Sequence, residues 1–154
     1  MLIVGNDERR IEVGIKARTE LPSVSIRSHV DDTDEKGTIF SRDCAEYEIA
    51  LPSGGTLWVL VNHFKRKSAG QQSDSNAKRL RQAKRVGEIH DENIAHGLEE
   101  IAVRGDFNET PDSTLLAAFL ANGCAAGRIR EIRLDSASTY AAFGTGGGPA
   151  GANR

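Results

Sequence analysis

The stretch "TLWVLVNHF", residues 56–64, limits the possible folds more than any other part of the chain. Leu57, Trp58, Val59, Leu60 and Val61 follow one another without a polar residue between them. A strand with one wet face would alternate; a continuous apolar run of this length, rich in Val and Leu, is a strand buried on both faces. Such a strand requires a covering layer on each side. Upstream, "AEYEIAL" and then Pro52-Ser53-Gly54-Gly55 supply a partner strand and a turn, the pattern of a β-hairpin.

The remaining elements fill in around that hairpin. "LIVG" and "RIEVGIKAR" read as two strands around a charged turn, with Ile11, Val13 and Ile15 alternating with polar positions. "LPSVSIRSHV" is extended, since Pro22 bars helix. The acidic "DDTDEKG", residues 31–37, is a solvated loop; a calcium loop is the other option, though the spacing and terminal glutamate of an EF-hand are absent. From Ser73 to Leu98 the period becomes helical, with Leu80, Ala83, Val86, His90, Ile94 and Leu98 on one stripe. Ser73 to Ser75 offer N-caps, Gly97 a C-cap and Gly87 a break.

"IAVR", residues 101–104, is a further buried strand. Thr110 and Pro111 are then the N-cap and first position of a helix "DSTLLAAFLA" that ends at Asn122-Gly123. "RIREIRLD" is either one more strand or irregular. The order predicts an α/β domain over residues 1–137 with a largely antiparallel beginning. Residues 138–154 read as a Gly/Ala-rich disordered tail.

Size and charge narrow the partners. A chain of 154 residues holds one domain with a hydrophobic core. Net charge is −2 with pI near 6.1, so affinity for nucleic acid has to come from a local patch. Cys44 and Cys124 lie far apart without metal-ligand spacing and read as two thiols, with a single disulfide as the other option. Leu2 to Val4 are too few for a signal-peptide core, and no stretch is long enough to span a bilayer, so a cytoplasmic location is expected.

Three constellations carry chemistry. In "VNHFKRK" His63 ends the buried strand and three cations follow. Its imidazole can donate to a phosphoryl oxygen or leaving group near neutral pH, or it can simply close the strand. In "GDFNET" Asp106 and Asn108 share a side of an extended chain while Phe107 points away. That pair suits a hard cation such as Mg²⁺ or an oriented water, and equally suits an ordinary capping turn. The third is the basic run Lys65, Arg66, Lys67, Lys78, Arg79, Arg81, Lys84 and Arg85, which either meets a phosphate backbone or forms a solvated helix face. No H-E-x-x-H, C-x-x-C or G-x-S-x-G is present, so zinc and triad hydrolase chemistry lack support.

Taken in order, "LWVLVNHFK", "SNAKRLRQAKRV" and "IAVRGDFNETPDS" resemble the endonuclease/exonuclease/phosphatase superfamily, the DNase I-like metal-dependent phosphoesterases. "RRIEVGIKARTELPSVSIRSH" and "IFSRDCAEYEI" are also similar to bacterial members, so the likeness spans roughly residues 5–120. It implies a DNase I-like four-layer αββα sandwich with the site where strand ends meet. By motif, His63 corresponds to the histidine at the scissile phosphate, Asp106 to the residue that orients the water, and Asn108 to the one holding a phosphate oxygen. The resemblance further implies Asp106 and Asn108 at a metal (Mg²⁺, with Mn²⁺ or Ca²⁺ as substitutes), and Arg42 and Lys65 at phosphate.

The departures bear on activity. Family members carry an earlier Asn strand and a Gln-Glu strand whose glutamate binds metal, and a closing Ser-Asp-His; none of these is in the sequence. The resemblance therefore implies a sandwich incomplete at both ends, open to self-association through sheet edges. Arg104 replaces a usual apolar residue and is expected to pair with Asp106 or reach phosphate. The implied function is nuclease-like hydrolysis of a phosphodiester or phosphomonoester, nucleic acid included, weakened or lost through the missing segments. The alternative is a non-catalytic phosphate- or nucleic-acid-binding remnant, or a module completed by a partner.

Overall fold

The computed structural model describes residues 2–3, 5–6, 12–67, 72–110, 113–119, 129–135 and 139–145. At its centre lies the apolar hairpin. Strand β6 (Cys44–Ala50) pairs antiparallel with β7 (Thr56–His63), and Leu51 N–H to Gly55 O at 3.1 Å closes the turn. As the continuous run requires, β7 is covered on both sides. Trp58 and Leu60 enter one cluster with Phe40, Phe64, Val86 and Ile89, while Val59 enters the other with Ala45, Tyr47 and Ala102.

The first cluster lies under helix α1 (Gln72–Ala95), whose Ala83, Val86 and Ile89 pack there. The helix follows β7 and returns the chain to β8 (Glu100–Asp106), which pairs parallel with β7. This is the crossover connection that parallel strands need. Gly97, at φ 83°, ends the helix, with its N–H on Ile94 O at 2.9 Å and Leu98 N–H on Asn93 O at 3.1 Å.

Strand β3 (Ser23–Ser28) joins the other edge of β6, and β9 (Ile129–Asp135) and β10 (Thr139–Thr145) extend the sheet past β8. The order is β3-β6-β7-β8-β10-β9, antiparallel except for β7 with β8. On the face away from α1 lies a two-stranded piece, β1 (Leu2–Ile3) with β2 (Val13–Gly14), whose Val13 is buried in the second cluster. Residues 31–38 form a small hairpin of β4 (Thr33–Asp34) and β5 (Gly37–Thr38).

Four expectations are revised. Residues 139–145, read as tail, form a strand that pairs along the whole of β8, which would otherwise end the sheet with open N–H and C=O groups. Helix α2 (Thr114–Phe119) starts later than Thr110, because Ser113 Oγ accepts the Leu115 N–H at 3.2 Å and is the cap; Pro111 lies outside the described residues. Gly87 is buried inside α1 and does not interrupt it. The buried stripe of α1 is also rotated: Leu80 is exposed, while Arg79 and Gln82 are buried. Cys44 is a free buried thiol, and Cys124 lies outside the described residues. Among the described residues, no helix is long and apolar enough to cross a membrane.

Candidate active site

The parallel register places Trp58 opposite Ile101 and ends by setting His63 opposite Asp106. In-register neighbours project to the same side of a sheet, so strand pairing puts imidazole and carboxylate on one side at the strand ends. His63 Nε2 stands 3.8 Å from Asp106 Oδ2, with both side chains partly exposed. At this separation the two groups are beyond hydrogen-bond range, and they form an ion pair only when the imidazole is protonated. A proton donor and an acceptor are thus poised at the strand ends with solvent access.

Gly105 makes this register possible. It has φ 140° and faces Asn62 across the pair, where an added Cβ would lie 1.8 Å from the Asn62 carbonyl oxygen. No side chain fits there, so the glycine of G-D-F-N is set by the close approach of two backbones. After it the chain turns. Asn108 has φ 51°, a left-handed conformation that asparagine accepts more readily than most residues. Asp106 Oδ1 accepts the Asn108 N–H at 2.9 Å, which is the local turn. The capping and site readings of this motif therefore coexist, each using one carboxylate oxygen. Phe107 points away as alternation requires, and meets Phe64 edge-on at 4.9 Å between centroids.

Phe64 links the two loops through its backbone. Its N–H donates to Asp106 O at 2.8 Å, and its carbonyl accepts from Asn108 Nδ2 at 3.0 Å. One amide hydrogen of Asn108 is thereby used; among the described residues, the second hydrogen and Oδ1 have no partner.

Arg42, expected at phosphate, is buried, and its Nη1 donates to Phe64 O at 2.9 Å and His63 O at 3.4 Å. It holds the backbone of the site from beneath. Arg104 does not pair with Asp106. It lines, with Ala102, a groove of about 480 Å³ shared with Lys16, Arg18, Leu57 and Val61.

Lys65 is half-buried, and its ammonium has no acidic partner among the described residues. Most of the basic run is otherwise engaged. Arg81 pairs with Asp34, Arg85 with Asp32 and Glu92, Lys84 with Glu88, and Lys67 with Glu109. As a polyanion-binding face the run is largely neutralised.

Sequence reasoning missed Glu109, whose side chain is buried against Arg79 at 2.6 Å and Lys67 at 3.2 Å. Burial alone would raise its carboxyl; the hydrogen bonds and charges of Arg79 and Lys67 outweigh that and hold it below the ordinary carboxylate range. The sequence offered only a glutamate directly after the motif, because the burial of Arg79 appears in the structure alone.

Among the described residues, no three His, Cys, Asp or Glu side chains cluster as a metal site. Asp106 and Asn108 do supply the hard oxygen donors that Mg²⁺ accepts, and Mg²⁺ often uses one or two carboxylates with substrate phosphate and water. The donor chemistry fits that ion and leaves most of its shell to other groups.

This architecture is the DNase I-like fold. It matches sphingomyelinase C from Streptomyces griseocarneus with TM-score 0.55 and 17% identity, over 82% of this chain and 50% of that one. SmcL matches with TM-score 0.56 and 13% identity, over 82% and 51%. The human Nocturnin catalytic domain with bound sulfate anion gives 0.56 and 13%, over 82% and 49%. The chain thus spans about half the length of the solved structures it is similar to. No protein-family model matches the chain, and no curated protein matches it in sequence.

Proposed function

We propose that the chain carries the His63–Asp106–Asn108 part of a phosphodiester-hydrolysing site, nuclease-like in kind. The observation that supports this most is the strand register, which sets His63 against Asp106 at 3.8 Å while the Phe64 carbonyl ties Asn108 to the same point. In this reading Asp106 Oδ2 orients the attacking water and accepts its proton. His63 carries the proton delivered to the departing oxygen. The free amide hydrogen of Asn108 holds a non-bridging phosphate oxygen, and the unpaired Lys65 ammonium supplies charge nearby.

Mg²⁺, when bound, would neutralise charge developing on the phosphoryl oxygens, with Asp106 and Asn108 among its ligands. The sphingomyelinase name of one similar structure, and the sulfate anion bound in the Nocturnin structure, support a substrate with a phosphate-like anionic group. A cytoplasmic location belongs to the same proposal.

The test is hydrolysis of bis(p-nitrophenyl) phosphate with added Mg²⁺ and with EDTA, for the unaltered chain, Asp106→Asn and His63→Ala. Turnover that falls at least ~10²-fold in each variant, with unchanged folding, supports the assignment. Equal rates in all three proteins refute it.

A further inference from the structure

The candidate site stands on two loops, residues 63–67 after β7 and 106–109 after β8. Loop backbone groups usually face water. Here two of them, both of Lys65, bond to buried side chains of α1. Lys65 N–H donates to Gln82 Oε1 at 2.9 Å, and Lys65 O accepts from Arg79 Nη1 at 3.1 Å. The same guanidinium donates from Nε to Glu109 Oε1 at 2.6 Å, and its third face meets Asn76 Oδ1. Arg79 is fully buried, so a single planar group spans both loops out of water.

We infer that Arg79, with Glu109 as its counter-charge, is a positioning residue that sets the separation of His63 from Asp106 and Asn108. Glu109 directly follows Asn108, and Lys65 lies two residues beyond His63, so any change at the guanidinium reaches both halves of the site through one or two peptide units. Lysine cannot replace it, because an ammonium is a point charge without the fixed fork that serves three acceptors at once. The inference rests on the proposed site. Its own content is geometric: Arg79 controls where the two loops sit.

The experiment uses the isotope-labelled chain as unaltered protein, Arg79→Lys, Glu109→Gln and, as control, Arg81→Lys, whose guanidinium pairs with Asp34 on the 31–38 hairpin. Three quantities are followed: the NMR signals of the His63 ring and Asn108 side-chain amide, the His63 titration midpoint, and bis(p-nitrophenyl) phosphate turnover. Arg79→Lys and Glu109→Gln should displace both sets of signals and shift the midpoint, with kcat down on the order of 10²-fold and KM within about twofold. Arg81→Lys should change none of these.

Signals unmoved in a folded Arg79→Lys or Glu109→Gln, or moved equally by Arg81→Lys, would overturn the inference. Should Arg79→Lys not fold, Glu109→Gln decides by the same signals. If the unaltered chain hydrolyses nothing, the proposed function fails, and the displaced or undisplaced NMR signals still judge Arg79.

Discussion

The two halves of α1 draw on one basic run, "KRLRQAKR", and use it in opposite ways. In the first half Arg79 is buried, with its donors on Lys65 O, Asn76 and Glu109. Further along, Arg85 is only partly buried and takes Asp32 at 2.6 Å and Glu92 at 2.7 Å. Burial would disfavour its charged form, but the hydrogen bonds and charges of Glu92 and Asp32 outweigh that and hold its guanidinium charged. One arginine fixes the loops of the candidate site, and the other pins the 31–38 hairpin to the helix. Helical period alone separates them: positions 79, 82, 83, 86, 89 and 90 face the sheet, and 81 and 85 fall beside that stripe. Chemistry identical in sequence therefore has different worth, set by how much water each guanidinium retains.

The largest effect expected from this contrast is at Arg79. Arg79→Ala leaves the Glu109 carboxylate with Lys67 and takes the buried donor from the Lys65 carbonyl, and should cost about 3–5 kcal/mol by chemical denaturation. A loss under ~1 kcal/mol would erase the distinction between the halves.

The pH dependence sharpens it next, because each half holds a carboxylate kept low. Burial favours the neutral form of Glu46, but His29, Asn93 and Arg27 together hold it below its usual range; the same balance holds at Glu109. A depressed folded pKa gives stability that is present above the unfolded value and lost as pH falls through the folded one. His29 behaves inversely. Burial would lower it, yet Glu46 and Asp32 raise it above 6.5, so its contribution is complete below that pH and fades as pH rises through the folded value. Denaturation midpoints should thus show a decline below about pH 4.5 that Glu109→Gln flattens, and a mild alkaline decline that His29→Asn removes. A profile unaltered by both variants would count against the buried pairs.

The smallest effect belongs to the less buried arginine. Arg85→Ala should cost about 0–1 kcal/mol, and less in 1 M salt, when followed by the same denaturation. A loss as large as that of Arg79→Ala would show that exposure does not set the difference.

Much of the frame is legible in the residues. The unbroken apolar run of β7 required two covering layers, and Pro52 to Gly55 marked the hairpin. G-D-F-N after a short strand marked the turn that carries Asp106 and Asn108. What escaped depended on partners distant in sequence. Arg79 looked like one cation among eight until Glu109 lay against it, and Leu80 looked buried because it is apolar, although its angle on the helix leaves it outside. Arg42 appeared free for phosphate because its acceptors are main-chain carbonyls, which no motif displays. Residues 139–145 were hidden by the glycines that follow them, and only the open side of β8 called for a strand there.

Gly105 has a different kind of consequence. Its place is dictated by the Asn62 carbonyl and owes nothing to any reaction. A lineage that stopped using the chemistry would be free to lose His63, Asp106 and Asn108, one at a time, and still keep this glycine. Among descendants, then, the glycine is a record of ancestry in shape, while the three side chains around it are the record of use.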